Sequence, residues 1–204
     1  MILRYIIVYS QILAWFLTIF KQRQSKDYKF FFYILAMQDI VAISLLYIVK
    51  INPYNQYIVW AVYLFLSLFP YFNNYRKAVL IIIASIPLYF LVYRLDYKTS
   101  NLIITIEYSF VYFFVLRKVF NYFINSHKIL FYHIALITYI FTAVIKTFVL
   151  LVDINTGSIY YMIFNVIQIF FAIYFMTDSD YNPKFILYTL KTDNHTDQVL
   201  SKTN

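Results

Sequence analysis

The sequence predicts an all-α integral membrane protein, a polytopic bundle of seven transmembrane helices. The 204-residue chain is 63% hydrophobic and only 13% charged, which is typical of membrane proteins and unusual for soluble domains. Its apolar residues form seven runs, and about 20 apolar residues in a helix cross the hydrocarbon core of a bilayer. The polar connections between the runs are short, so consecutive helices are expected to be antiparallel neighbours.

The seven predicted helices follow the apolar runs, and the three shortest reach the headgroups with the help of flanking Tyr, Asn and Lys residues. In chain order the runs cover residues 2–20, 30–49, 57–72, 78–93, 101–116, 129–152 and 158–177. Residues 1–177 therefore form the predicted transmembrane domain. Residues 178–204 form a polar tail that we expect to be largely flexible, with its KFILY stretch a candidate for lying on the membrane surface.

The distribution of basic residues predicts the orientation of the bundle. Twelve lysines and arginines fall in the first, third and fifth connections and the tail, whereas four fall in the amino terminus and the even-numbered connections. Because cytoplasmic loops are enriched in Lys and Arg, the amino terminus is predicted outside and the carboxyl terminus inside. We expect a protein of the bacterial cytoplasmic (inner) membrane with the lipid bilayer as a partner. The pI near 9.4 follows from this topology and does not indicate a nucleic-acid partner.

Composition and motifs exclude several kinds of site. The chain has no cysteine and only three scattered histidines, so it lacks thiolate ligands and a histidine cluster for a metal. It has no phosphate-binding loop, HExxH or GxSxG motif. We therefore expect no enzymatic activity, cofactor or metal. With a single glycine in the chain, GxxxG packing is excluded, and helix contacts should use Ala, Ser and Thr.

Lys146 is the charge around which the bundle should be organised, because a lipid-facing ammonium is unfavourable by several kcal/mol. Glu107 and Asn165 lie at a matching depth, roughly 9–11 Å below the outer edge of the bilayer. The fifth and sixth helices are consecutive, so we expect Glu107 and Lys146 to form a buried ion pair. Thr142, one turn from Lys146, could accept or relay a hydrogen bond. Such a pair either locks two helices together or forms the floor of an externally accessible cavity.

A second layer of polar residues lies near the predicted midplane of the bilayer. Its members are Gln11, Gln38, Asp39 and Gln168. Asp39 has Ala36 and Ala42 on its own face of the helix, which allows a neighbouring helix to pack closely. An acid at this depth either carries a proton or a cation, or is a protonated, hydrogen-bonded structural residue.

Three features of the layout are its opening IIVYSQILAWFLTIF, its basic odd-numbered connections and its inside tail. In these features the chain resembles the small seven-helix membrane proteins of bacteria and the seven-helix sensory modules of bacterial histidine kinases. In those modules the bundle senses and a cytoplasmic partner responds. Because no catalytic domain follows here, the resemblance implies a separate membrane or cytoplasmic protein as partner. The first hypothesis is a non-enzymatic sensory or accessory subunit. The alternatives are a transporter or channel subunit that uses Asp39 and the Glu107/Lys146 pair, and a structural subunit of a larger membrane complex.

Overall fold

The computed structural model describes residues 2–25, 27–49, 55–69, 76, 79–80, 83, 86–152 and 157–189. Its described part contains seven α-helices: α1 (Ile2–Gln22), α2 (Lys29–Ser44), α3 (Gln56–Ser67), α4 (Ile86–Val92), α5 (Tyr97–Ser126), α6 (Phe131–Leu151) and α7 (Gly157–Thr177). A π-helical turn, Leu45–Val49, continues α2. Two short strands, β1 (Lys128–Leu130) and β2 (Ile186–Thr189), pair antiparallel. The prediction of a helical fold is confirmed, with this strand pair as an addition.

Two of the described helical segments are long and apolar enough to cross a membrane. They cover Lys29–Ile48 and Phe131–Leu151, and both coincide with predicted spans. The fourth predicted run, residues 78–93, lies partly outside the described residues, and Ile86–Val92 is the stretch of it that forms α4. The full set of seven spans therefore stays a prediction.

Helix α5 is longer than the apolar run that predicted it. The run covers residues 101–116, whereas the helix covers Tyr97–Ser126. At its start the Asp96 carboxylate accepts a hydrogen bond from the Thr99 backbone N–H at 3.0 Å, and at its end His127 adopts a left-handed conformation with φ 53°. Because these caps, and not the apolar run, decide where the helix begins and ends, both flanking connections are partly helical.

Six of the described helices close into a ring. Along this ring α1 contacts α2, α2 contacts α3, α3 contacts α5, α5 contacts α6, α6 contacts α7, and α7 returns to α1, while α4 packs against α3. Buried alanines allow the close approach of these helices, as the sequence predicted. They include Ala14, Ala36, Ala61, Ala143 and Ala172.

Aromatic side chains fill the interior of the ring towards the end where α1 finishes and α2 begins. We call Trp15, Phe32, Tyr132, Tyr139 and Phe175 the aromatic plug. The ring centroids of Trp15 and Tyr139 are 4.8 Å apart, those of Phe32 and Phe175 are 5.0 Å apart, and those of Tyr132 and Phe175 are 5.5 Å apart. All five side chains are buried. Each such pair adds about 0.5–1.5 kcal/mol beyond the burial of its area.

The expectation of a flexible tail needs correction for residues 178–189, because they pack against this end of the ring. The Gln22 side-chain amide, fully buried, donates to the backbone carbonyls of Phe175 and Asp178 at 2.7 Å each and accepts a bond from the Tyr132 hydroxyl at 3.2 Å. Strand β2, which includes part of KFILY, pairs with β1. The tail is ordered here because Gln22 satisfies carbonyls that the end of α7 leaves open. Residues 190–204 lie outside the described part of the chain.

Replacing Gln22 tests this cap. Gln22→Leu removes the donor for two carbonyls and the acceptor for the Tyr132 hydroxyl, and each buried polar group left without a partner costs about 1–3 kcal/mol. We expect a loss of about 2 kcal/mol or more in the free energy of unfolding, measured on the purified chain in detergent. Gln24→Leu, at an exposed position just after the same helix, is the control. Equal losses in the two variants would contradict the assigned role of Gln22.

Asp180 lies beside the cap and gives this end of the molecule a pH dependence. Its Oδ2 accepts a hydrogen bond from the Ser25 hydroxyl at 2.9 Å. Burial raises the pKa of the Asp180 carboxyl, and the negative charge of Asp27 raises this pKa further. The folded state therefore holds the proton more tightly than the unfolded state. This contribution to stability is complete below about pH 4 and is lost as the pH rises through the raised pKa.

Asp180→Asn should therefore raise the melting temperature at pH 7, because the amide keeps an acceptor for Ser25 and carries no buried charge. The fall in stability above about pH 4 should also become shallower in this variant. Asp96→Asn provides the comparison, since hydrogen bonds from Thr99 lower the pKa of that exposed carboxyl. Thermal unfolding across this pH range measures both. A lower melting temperature for Asp180→Asn at pH 7 would show that the charge is stabilising.

Candidate functional site

A cavity of about 430 Å³ lies within the ring, at the end where α1, α3, α5 and α7 begin and α2 and α6 finish. Its volume falls within the range of small-molecule sites. All six helices of the ring contribute to its wall, and ten polar residues line it. They are Gln11, Gln38, Asp39, Tyr57, Tyr108, Tyr139, Lys146, Thr147, Asn165 and Gln168.

Asp39 forms the acidic side of the cavity. Its Oδ2 accepts a hydrogen bond from the Gln11 amide at 3.2 Å, and its Oδ1 accepts one from the Tyr57 hydroxyl at 3.3 Å. The same Gln11 amide nitrogen donates to Gln168 Oε1 at 2.7 Å. These bonds join α1, α2, α3 and α7, so the second layer of polar residues predicted from the sequence meets around one carboxylate.

Lys146 forms the basic side of the cavity. Its Nζ donates a hydrogen bond to Asn165 Oδ1 at 3.3 Å, which links α6 to α7. Lys146 and Asp39 line the same cavity with opposite formal charges. No direct ion pair joins these two described residues, and both are of intermediate exposure.

The predicted ion pair between Glu107 and Lys146 is not formed. Glu107 is absent from the cavity lining, and its Oε2 atom is buried without a hydrogen-bond partner among the described residues. Helices α5 and α6 do contact each other, but the next residue, Tyr108, is the one that faces the cavity. Successive side chains leave a helix about 100° apart. The sequence placed Glu107 near Lys146 because their predicted depths match. The direction in which the Glu107 side chain leaves the α5 axis keeps it out of the cavity lining.

Of two other predicted site residues, Thr142 lies outside the cavity lining and Gln38 lies in it. The Thr142 hydroxyl donates to the backbone carbonyl of Tyr139 at 2.6 Å on its own helix and does not line the cavity. It therefore does not relay a bond to Lys146, and Thr147 lines the cavity in its place. Gln38 does line the cavity, and its Oε1 is buried with no hydrogen-bond partner among the described residues. That oxygen is an acceptor without a donor.

Sequence reasoning missed three tyrosines of the site, Tyr57, Tyr108 and Tyr139. The chain has 23 tyrosines, and nothing in their number distinguishes the ones that face the cavity. Tyr57 also lies at the start of α3, and a tyrosine at that position is typical of an anchor at the membrane interface. The sequence gives one weak indication that two of these tyrosines belong to the site, which is their position near predicted site residues. Tyr108 directly follows Glu107, and Tyr139 lies two turns before Lys146.

The aromatic plug forms the floor of the cavity. Tyr139 belongs to both, since it lines the cavity and its ring packs on Trp15. Trp15 follows Gln11 by one helical turn and is 2% exposed. The packed rings of the aromatic plug therefore bound the cavity on the side of Trp15 and Tyr139.

The cavity contributes one carboxylate, one ammonium and several amides and hydroxyls. Within the described residues there is no group of three or more His, Cys, Asp or Glu side chains that could hold a metal. No known protein family, curated protein or solved structure matches the chain.

A double-mutant cycle tests which carboxylate is coupled to Lys146. The single variants are Asp39→Asn and Lys146→Met, and groups that interact directly or through a shared network show coupling of about 0.5–3 kcal/mol. We expect coupling in that range between Asp39 and Lys146 in the free energy of unfolding. The matched cycle of Glu107→Gln with Lys146→Met should be additive. Strong coupling in the Glu107 cycle and none in the Asp39 cycle would contradict the arrangement described above.

Proposed function

We propose that this chain is a non-enzymatic integral membrane protein that binds a small polar solute in its cavity and reports the bound state to a membrane or cytoplasmic partner. The observation that carries this proposal is the placement of Asp39 and Lys146 in one cavity that the aromatic plug bounds on one side. Oppositely charged groups that lie inside an apolar helix bundle and do not form an ion pair with each other are typical of functional sites.

The exposed surface of the described helices supports insertion in a membrane. Large apolar side chains are exposed along α1, α2 with its π-helical turn, α5, α6 and α7, as a protein surrounded by lipid requires and a soluble one avoids. Examples are Leu13, Ile48, Phe113, Phe141 and Phe170. Together with two helices of spanning length and the bias of Lys and Arg, this favours a seven-span protein of the bacterial inner membrane with its amino terminus outside. The cavity then opens to the outside.

The closed floor favours binding over conduction. A channel needs a continuous polar path, whereas the aromatic plug packs directly under this cavity. Helix α1 carries a cavity residue, Gln11, a plug residue, Trp15, and the cap residue Gln22. One rigid element thus runs from the ligand site to the packed tail, which supports an output at the inner end, where the basic connections would meet a partner.

A transporter is the second candidate, and the opposite charges in the cavity favour it, because alternating access uses such a site near the midplane. It requires the aromatic plug to open. Flux of a bound solute into proteoliposomes that is lost in Asp39→Asn, with folding retained, would select this candidate. Binding without flux would select the sensory one.

Cysteine accessibility tests the proposal, since the natural chain has no cysteine. Met162 lines the cavity, whereas the neighbouring Ile163 is 53% exposed on the outer face of α7. A membrane-impermeant thiosulfonate applied to intact cells should modify Met162→Cys at least tenfold faster than Ile163→Cys, because a thiolate forms in water and not in hydrocarbon. Equal rates, or modification of Met162→Cys only in inside-out vesicles, would contradict an externally open cavity.

A further inference from the structure

The unused hydrogen-bonding capacity of the cavity indicates what kind of solute it takes. On the basic side, the Lys146 ammonium has three donors and gives one to Asn165. On the acidic side, each oxygen of Asp39 accepts one bond and has a further lone pair. The cavity thus has donors to spare on one side and acceptors on the other.

The charge balance of the lining narrows the choice. Asp39 and Lys146 are the two lining residues that carry a formal charge, and their charges cancel. A ligand with one net charge would leave an unbalanced charge in an apolar bundle, which is strongly unfavourable. A neutral solute without charges would leave Lys146 and Asp39 as they are and gain little. A zwitterion satisfies both sides and keeps the sum at zero.

We propose that the cavity binds a zwitterionic solute that carries a carboxylate and a primary or secondary ammonium, as a free amino acid does. The carboxylate accepts hydrogen bonds from Lys146, and the ammonium donates to Asp39. A quaternary ammonium has no N–H to donate to the Asp39 carboxylate. This inference rests on the proposed function, because it names the ligand class of the same site.

The remaining wall accommodates an apolar side chain. Aliphatic residues line the cavity beside the polar groups. These include Ile7, Val8, Ile12, Ile104, Ala143 and Leu150. An amino acid with an aliphatic side chain therefore matches both the polar and the apolar parts of the lining, and L-leucine is a suitable probe.

Three compounds of matched shape separate the contributions of the two charges. L-Leucine carries both groups, 3-methylbutylamine lacks the carboxylate, and 4-methylpentanoate lacks the ammonium. Calorimetric titration of the full-length chain in detergent should give a dissociation constant for leucine at least about tenfold below that of either single-charge compound. Glycine and L-phenylalanine extend the panel to smaller and larger zwitterions. Failure of all three zwitterions to bind, or equal affinity for a single-charge compound, overturns the inference.

The variant Lys146→Met tests the assignment of the ligand carboxylate. Without the ammonium, the preference for leucine over 3-methylbutylamine should be lost. Thr142→Val, which lies outside the cavity, is the control and should leave the leucine affinity unchanged. An unchanged preference in Lys146→Met overturns the assignment of the carboxylate to this ammonium.

Cysteine modification and ligand binding distinguish failure of the externally open cavity from failure of the zwitterionic ligand class. Rapid modification of Met162→Cys from outside, combined with no preference for zwitterions, removes the ligand class and leaves the externally open cavity in place. Slow modification of Met162→Cys removes the open cavity itself, and zwitterion binding in detergent would then report on the cavity in a form that the membrane does not expose.

Discussion

The arrangement depends on one constraint: polar and charged groups inside an apolar ring of helices must be satisfied by one another. Asp39 meets it with bonds from α1 and α3, and Lys146 meets it with a bond to α7. Each of these bonds joins consecutive helices, and the bond from Gln11 to Gln168 joins α1 to α7 across 157 positions of the chain. Asp39 and Lys146 thus line one cavity while their hydrogen bonds go to neutral partners.

The ring is divided into a polar half and an aromatic half. Gln11 and Trp15 are one turn apart on α1, and the change from amide to indole marks the floor of the cavity. Aromatic rings supply packing in a chain with a single glycine, and buried alanines let the helices approach. At the end of the ring where α1 finishes, the Gln22 side-chain amide donates to the Asp178 backbone carbonyl and so connects the bundle to the residues that follow α7. Helix α1 therefore joins the polar half to this end of the ring.

The sequence predicted the helices and the depth of their polar residues, because apolar run length and position along a helix are one-dimensional quantities. It placed Lys146 and Asn165 at one level, and they share a hydrogen bond. It failed on Glu107, because the partner of a buried charge also depends on rotation about the helix axis, which a helix that is apolar all round does not reveal. It failed on Tyr57 because a tyrosine that faces a cavity and one that faces the headgroups have the same local sequence. The order of the tail depended on Gln22, a contact more than 150 residues away.

Solid-state NMR on the chain in lipid bilayers identifies the partner of Lys146 directly, by measuring dipolar couplings from its side-chain nitrogen to labelled side-chain carbons. We expect a strong coupling to the amide carbon of Asn165, whose oxygen lies 3.3 Å from that nitrogen, and none to the carboxyl carbon of Glu107. A strong coupling to Glu107 with none to Asn165 would contradict the arrangement of polar groups in the ring.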